Sequence, residues 1–196
     1  MTKKILITGA NGQLGHEMRN ALKGNNRFEC IFTDVAELDI CNAEAVKQII
    51  ADNHIDYIVN CAAYTQVDKA EDNAELCKKI NTDAVENLAR AAADYGARMI
   101  HISTDYVFNG RGYSPYTEDM PPDPQSVYGS TKLEGEKILT DICPESIIIR
   151  TAWLYSPYGN NFVKTMLHLG EEREELSVVA DQIGTPTCAA DLAQAI

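Results

Sequence analysis

Short apolar runs alternate with stretches of helical spacing along most of the chain. Residues 4–8, 28–33, 56–60, 98–103 and 146–151 are brief and almost continuously apolar, and each predicts a strand. Between them, residues 13–23, 43–51, 69–95 and 128–141 place apolar side chains at helical intervals. Gly24 and Gly96 follow two of these stretches, where a helix naturally stops. Strands that are apolar throughout, rather than alternating, are expected to be covered on both faces. The pattern therefore predicts an α/β fold: a doubly wound parallel sheet between two layers of helices. A glycine-rich turn directly after the first strand makes it of Rossmann type.

The rhythm breaks twice. Residues 105–127 contain Gly110, Gly112, Pro115, Pro121, Pro122 and Pro124, which exclude a helix or a central strand. A loop this long in a compact domain points to function. Beyond Thr151 the pattern thins. Residues 160–169 predict a helix, 176–180 a sixth strand, and 189–196 an amphipathic helix in which the chain ends. The expected division is a dinucleotide-binding domain over 1–151. Residues 152–196 would hold the last sheet elements and the start of a smaller C-terminal substrate-binding part. Most of that part would lie outside this chain, which reads as a piece of a longer protein.

Composition narrows the class. A net charge of -12 argues against a nucleic-acid surface, which needs basic side chains to meet phosphates. No apolar run approaches the roughly 20 residues of a membrane span. The N-terminal apolar run is too short for a signal peptide, so a cytoplasmic protein is expected. Cys30, Cys41, Cys61, Cys77, Cys143 and Cys188 form no C-x-x-C pair. They read as free thiols of a reducing compartment, with no metal site. His16, His54, His101 and His168 are scattered and receive no role.

Two stretches carry chemistry. In Thr8-Gly9-Ala10-Asn11-Gly12-Gln13-Leu14-Gly15 the glycines would make a sharp turn, a close approach to a pyrophosphate and a tight strand–helix contact. The helix that follows would turn its free N–H groups toward the phosphates. Asp34, after the second strand, can accept hydrogen bonds from a ribose 2′-OH, or it is a solvated loop acid. Asp39 and Ile40 could border the adenine. Ala62 and Ala63 are small enough to let a dinucleotide cross the sheet edge, whereas Tyr64 could equally be a packing aromatic. The second stretch places Tyr128 and Lys132 four residues apart on one helix face. A phenol with an ordinary pKa of about 10 exchanges protons slowly near neutrality, and a nearby ammonium would stabilise its anion. Thr104, at the end of the fourth strand, could hydrogen-bond the same carbonyl oxygen that Tyr128 protonates. This pattern reads as hydride transfer with a proton relay.

The chain resembles the extended short-chain dehydrogenase/reductase superfamily, and more narrowly the dTDP-4-dehydrorhamnose reductases. The resemblance rests on the glycine turn, on Asn60-Cys61-Ala62-Ala63-Tyr64-Thr65-Gln66-Val67-Asp68-Lys69-Ala70-Glu71 and on Ser103-Thr104-Asp105-Tyr106-Val107-Phe108-Asn109-Gly110. It also rests on residues 127–136, Arg150-Thr151-Ala152-Trp153-Leu154-Tyr155 and Asp181-Gln182-Ile183-Gly184-Thr185-Pro186-Thr187. The resemblance implies reduction of the 4-keto group of dTDP-4-dehydro-6-deoxy-L-mannose, with NADPH or NADH as cofactor. It implies a catalytic trio of Thr104, Tyr128 and Lys132. Gly9, Gly12, Gln13, Leu14, Asp39, Ile40, Ala62, Ala63 and Tyr64 then hold the cofactor, joined by Asn11, Gly15 and Asp34 from the turn and second strand. Val67, Asp105, Tyr106 and Trp153 fall near the sugar nucleotide. Members of this family continue well beyond position 196. The expected partner is a dTDP-sugar, with a homodimer as an open option. Two rival readings share parts of the pattern: an NAD-dependent nucleotide-sugar epimerase or dehydratase, and the non-catalytic regulatory subunit of methionine adenosyltransferase.

Overall fold

The computed structural model describes residues 2–196. Five parallel strands form one sheet in the order β2-β1-β3-β4-β5. They are β1 (Lys3–Thr8), β2 (Phe28–Thr33), β3 (Tyr57–Asn60), β4 (Arg98–Thr104) and β5 (Ile147–Thr151). Successive strand side chains point to opposite faces, and Leu6 and Ile7 are both fully buried. Both faces are therefore covered. On one, Leu6, Ile58 and Met99 pack with Val46 of α2 (Ala43–Asn53), Leu88 of α5 (Ala84–Tyr95) and Leu139 of α6 (Val127–Ile142). On the other, Ile5, Ile7 and Val59 meet Leu14 and Met18 of α1 (Gln13–Ala21) and Leu192 of α8 (Ala189–Ala195). The chain leaves β1 to one side for β2 and returns across it to β3. The carboxyl ends of β1 and β3 thus diverge at a topological switch, the place where doubly wound sheets bind ligands.

The structure differs from the sequence expectation in three places. The stretch 69–95 is not one helix. It comprises α3 (Val67–Asp72), α4 (Ala74–Lys78), a π-helical turn (Lys79–Asp83) and α5. The backbone leaves the helical region at Asn73 (φ -128°, ψ 42°). The π turn faces Asn81 toward the loop after β3. Residues 176–180 are not a strand. Their backbone is irregular, and Ser177, Val178 and Val179 line a cleft instead of extending the sheet. Beyond β5 only the Tyr155–Cys188 bridge continues parallel pairing. Within the loop of 105–127, Asp105–Val107 forms a 3-10 turn, after which the backbone stays irregular up to Ser126. The Ser126 side chain accepts from Gly129 N and starts α6. The helix expected at 160–169 is α7 (Phe162–Glu172).

The site depends on how closely α6 approaches the π turn. A side chain at Gly135 would collide with the Asn81 carbonyl oxygen. Gly170, on exposed α7, has open space around it. Gly135→Ala should destabilise the fold by about 1–3 kcal/mol, as overpacking does. Gly170→Ala should stabilise it by up to about 1 kcal/mol through helix propensity. Urea denaturation of the two variants checks both signs.

Candidate active site and cofactor groove

The carboxyl ends of the strands open onto a cleft of about 1160 Å³ whose lining includes Gln13, Leu14, Thr104, Tyr128, Lys132 and Trp153. A smaller hollow of about 550 Å³ lies over β1 and β2 and includes Gly9, Asn11, Asp34, Asp39, Ile40 and Ala62. Gly12, Cys61 and Ala63 line both, so the two form one groove along the switch point. Twelve residues were expected to hold a cofactor, and eleven of them border this groove; Tyr64 does not.

Close backbone approach shapes the groove. Gly9 has a positive φ of 64°, and a Cβ there would lie 2.7 Å from the backbone N and Cα of Ala62. A Cβ on Gly15 would collide with the Gly9 carbonyl oxygen. Gly12 N donates to Gly9 O at 3.0 Å, closing the turn. Gly12 is also the N-cap of α1 and has no side chain with which to cap it. The first-turn N–H groups of an uncapped helix carry partial positive charge and suit an anion. Asp34 braces the turn, because its Oδ2 accepts from Asn11 N at 2.9 Å while its Oδ1 accepts from Val35 N. Asp34 is therefore more than a solvated loop acid. Asp39 accepts from Cys41 N, and Ile40 O accepts from Asn87 Nδ2. Tyr64 packs against Ala70, Cys77 and Tyr128, which is the packing alternative. The Asn81 side chain holds its backbone on both sides, accepting from Tyr64 N at 2.9 Å and donating to Tyr64 O at 3.1 Å.

At the other end, α6 presents Tyr128 and Lys132, both buried. Burial pushes the Tyr128 phenol up to about 12, partly offset by the Thr104 hydroxyl beside it. Thr104 Oγ1 donates to Asp105 Oδ1 at 3.1 Å and accepts from Tyr106 N at 3.2 Å. Burial likewise raises the Asp105 carboxyl above its ordinary value. Burial pulls Lys132 down to about 8, against the opposing charge of Glu136. Lys132 Nζ makes its hydrogen bonds to β4, not to Tyr128 on its own helix. It donates to Ile102 O at 2.7 Å and lies 3.3 Å from His101 Nε2. His101 Nδ1 is 3.0 Å from Asn60 Nδ2. Asn60 Oδ1 accepts from Thr8 Oγ1 at 2.7 Å and from Ala62 N at 3.2 Å. Thr8, Asn60 and His101 are register partners, so one polar row crosses β1, β3 and β4. Val67, Asp105, Tyr106 and Trp153, the residues expected near a substrate, all line the larger cleft.

The model of the RmlD substrate binding domain matches residues 3–196. The chain belongs to that family. The dTDP-4-dehydrorhamnose reductase of Aggregatibacter actinomycetemcomitans is 46% identical over 193 residues, covering 98% of this chain and 66% of the relative. The crystal structure of a dTDP-4-dehydrorhamnose reductase from Clostridium acetobutylicum superimposes with a TM-score of 0.95 at 53% identity, covering 98% of this chain and 68% of that one. The enzyme of the same name from Bacillus anthracis, solved in complex with NADP, has a TM-score of 0.95 at 45% identity with the same coverage. The chain thus spans about two thirds of the length of these relatives.

In this member of the RmlD family, sequence reasoning missed His101, Asn81 and the Glu136–Arg150 pair. His101 did leave a signal. It is a polar residue inside an apolar strand, and a buried polar group needs a partner. Asn60 is the matching polar residue in β3, so the two could have been paired across the sheet. Asn81 left none, because its role depends on a π turn that helical periodicity conceals. Arg150 donates to Glu136 through Nε at 3.0 Å and Nη2 at 2.6 Å, and stacks over Phe108. Among the described residues no three His, Cys, Asp or Glu side chains gather as a metal site, and no helix is long and apolar enough to cross a membrane. Asn81→Ala should strip both Tyr64 backbone groups of their partner. A cost of about 1–3 kcal/mol is expected, with faster hydrogen exchange at the Tyr64 amide, measured by NMR.

Proposed function

We propose that this protein reduces the 4-keto group of dTDP-4-dehydro-6-deoxy-L-mannose to give dTDP-L-rhamnose, using NADPH or NADH. The observation that carries the reading is the convergence of Thr104, Tyr128 and Lys132 at one end of a groove whose other end is a side-chain-free turn. The relatives' shared name supports the reductase over the epimerase or dehydratase and the regulatory subunit. The groove fits a dinucleotide, since Gly9 and Gly15 admit no side chain and α1 begins uncapped. Ser103 Oγ, buried at the end of β4 and without a partner, offers one more polar contact there. When bound, the cofactor supplies the hydride.

The chain's own residues would do the rest. Gly12, Gln13 and Leu14 would meet the pyrophosphate with backbone N–H groups. Asp39, Ile40 and Ala62 would border the adenosine. Both Asp34 oxygens already accept backbone N–H bonds, which tempers its repulsion of a 2′-phosphate and favours use of either cofactor. A phenol held near 12 stays protonated at neutral pH, the form required of a proton donor. Tyr128 would donate to the carbonyl oxygen as negative charge develops there, while Thr104 Oγ1 turns from Asp105 to the same oxygen. A cationic Lys132 would lower the cost of the phenolate left behind. Val67, Asp105, Tyr106 and Trp153 would contact the dTDP-sugar.

In the same reading, residues 1–151 hold the dinucleotide and 152–196 begin the sugar-nucleotide part. A cytoplasmic location suits the six unpaired cysteines. The exposed Phe162 and Leu167 on α7 are compatible with a homodimer. Tyr128→Phe keeps the ring and removes the proton donor. It should lower turnover by about 10²-fold or more with cofactor affinity nearly unchanged. Steady-state NADPH consumption with the sugar nucleotide, alongside calorimetry, checks this. Near-normal turnover would remove Tyr128 from the role.

A further inference from the structure

We propose that Asn60 and His101 set the charge of Lys132: Asn60 fixes which ring nitrogen of His101 carries the proton, and His101 presents that proton to the lysine. Ala62 N–H can only donate, and it points to Asn60 Oδ1 at 3.2 Å. That orients the Asn60 amide, with its oxygen toward Ala62 and Thr8 and its NH₂ toward His101. Asn60 Nδ2 is a donor, so His101 Nδ1, 3.0 Å away, accepts and is bare. The ring is fully buried and neutral, so its one proton sits on Nε2. This N–H faces Lys132 Nζ at 3.3 Å. An ammonium has three donors and no lone pair, so it cannot accept there. The free amine can, and it still donates to Ile102 O. Turning the Asn60 amide over would accommodate an ammonium, but would set its NH₂ against Ala62 N–H.

The other groups facing Lys132 divide. Glu136 on its own helix, partly neutralised by Arg150 of β5, and Cys77 of α4 favour the cation. Burial and the His101 N–H favour the amine. Tyr128 on α6 and Asp105 after β4 stand on the cleft side. The depressed value of about 8 agrees in direction. His101 and Asn60 are therefore positioning residues. The proposal rests on the functional reading above only for its consequence: if a cationic Lys132 assists Tyr128, turnover falls as pH rises through the lysine's titration, and Asn60 sets where that happens.

The test uses the cofactor-free protein with ¹⁵N-labelled histidine and ¹³C-labelled lysine. Long-range ¹H–¹⁵N spectra should show His101 neutral, with the proton on Nε2 and Nδ1 bare, and the Lys132 Cε signal should titrate at or below about 8. In Asn60→Asp one carboxylate oxygen still accepts from Ala62 N while the other faces His101 as an acceptor. The proton should then move to Nδ1, Nε2 should accept from the ammonium, and the Lys132 titration should rise by about one unit or more. A wild-type His101 protonated on Nδ1, or a Lys132 titrating at its ordinary value near 10.4, would overturn the proposal without need of the variant. So would an Asn60→Asp protein with the His101 proton unmoved. These readouts do not involve turnover. Spectra as expected in a protein that reduces no sugar nucleotide would leave the proposal standing and remove the functional reading instead.

Discussion

The backbone of Gly9 lies against the backbone of Ala62 with no room for a methyl group between them. That approach is possible only because β1 and β3 are parallel neighbours and because the first residue after β1 has no side chain. From it the rest of the groove follows. The turn settles onto the Cys61–Ala62 segment, Gly15 lets α1 close on the Gly9 carbonyl, and the helix start is delivered to the switch point. Each step sacrifices something. A Ser or Asp at the N-cap would stabilise α1 by roughly a few tenths of a kcal/mol over glycine, but Gly12 leaves the first-turn N–H groups without a side-chain cap. That unmet hydrogen bonding is what a phosphate can satisfy.

The chemical end of the groove is built on a second constraint, a polar row inside an apolar sheet. Thr8, Asn60 and His101 cross three strands side by side and end at Lys132. Burial of so many polar groups is tolerable because each has a partner. The row also ties the two ends of the groove together. Asn60 Oδ1 holds Ala62 N beside Gly9, while its amide nitrogen reaches His101 on the side of α6. The π turn at Lys79–Asp83 serves the same end, since it brings Asn81 onto the Tyr64 backbone and allows α6 to pack closely at Gly135. One set of hydrogen bonds thus holds Lys132 and the Ala62 backbone beside the glycine turn, and a second, through Asn81 and Thr131, holds the Tyr64 backbone and the first turn of α6.

The elements whose residues see only the two helical layers were legible in the sequence. The central strands β1, β3 and β4 are apolar runs buried toward both layers, the edge strands β2 and β5 are apolar but only partly covered, and both Gly24 and Gly96 adopt the positive φ of a helix stop. The glycine turn was legible because close approach demands residues that nothing else replaces. Tyr128 and Lys132 were legible as a helical pair, but not in orientation. Spacing places two side chains on one face, while the Ile102 carbonyl and His101 decide where the lysine nitrogen goes. The stretch 69–95 misled because Asn73 and the π turn keep helical composition while breaking helical geometry. Residues 176–180 misled because an apolar run that lines a cleft looks the same as one that joins a sheet. His101 was overlooked because its meaning lies across the sheet at Asn60, not along the chain.

The claim on which the account turns is that the Gly9–Ala62 approach creates the dinucleotide groove. Calorimetric titration of NADPH into the protein and into Gly9→Ala tests it most directly, with circular dichroism to confirm that both are folded. The account predicts measurable binding by the wild-type chain and at least a tenfold weaker affinity in the variant. Here the added methyl must push the turn off Ala62 and carry the start of α1 with it, a displacement worth about 1.4 kcal/mol or more. A folded Gly9→Ala protein that binds NADPH as tightly as the wild type would contradict it.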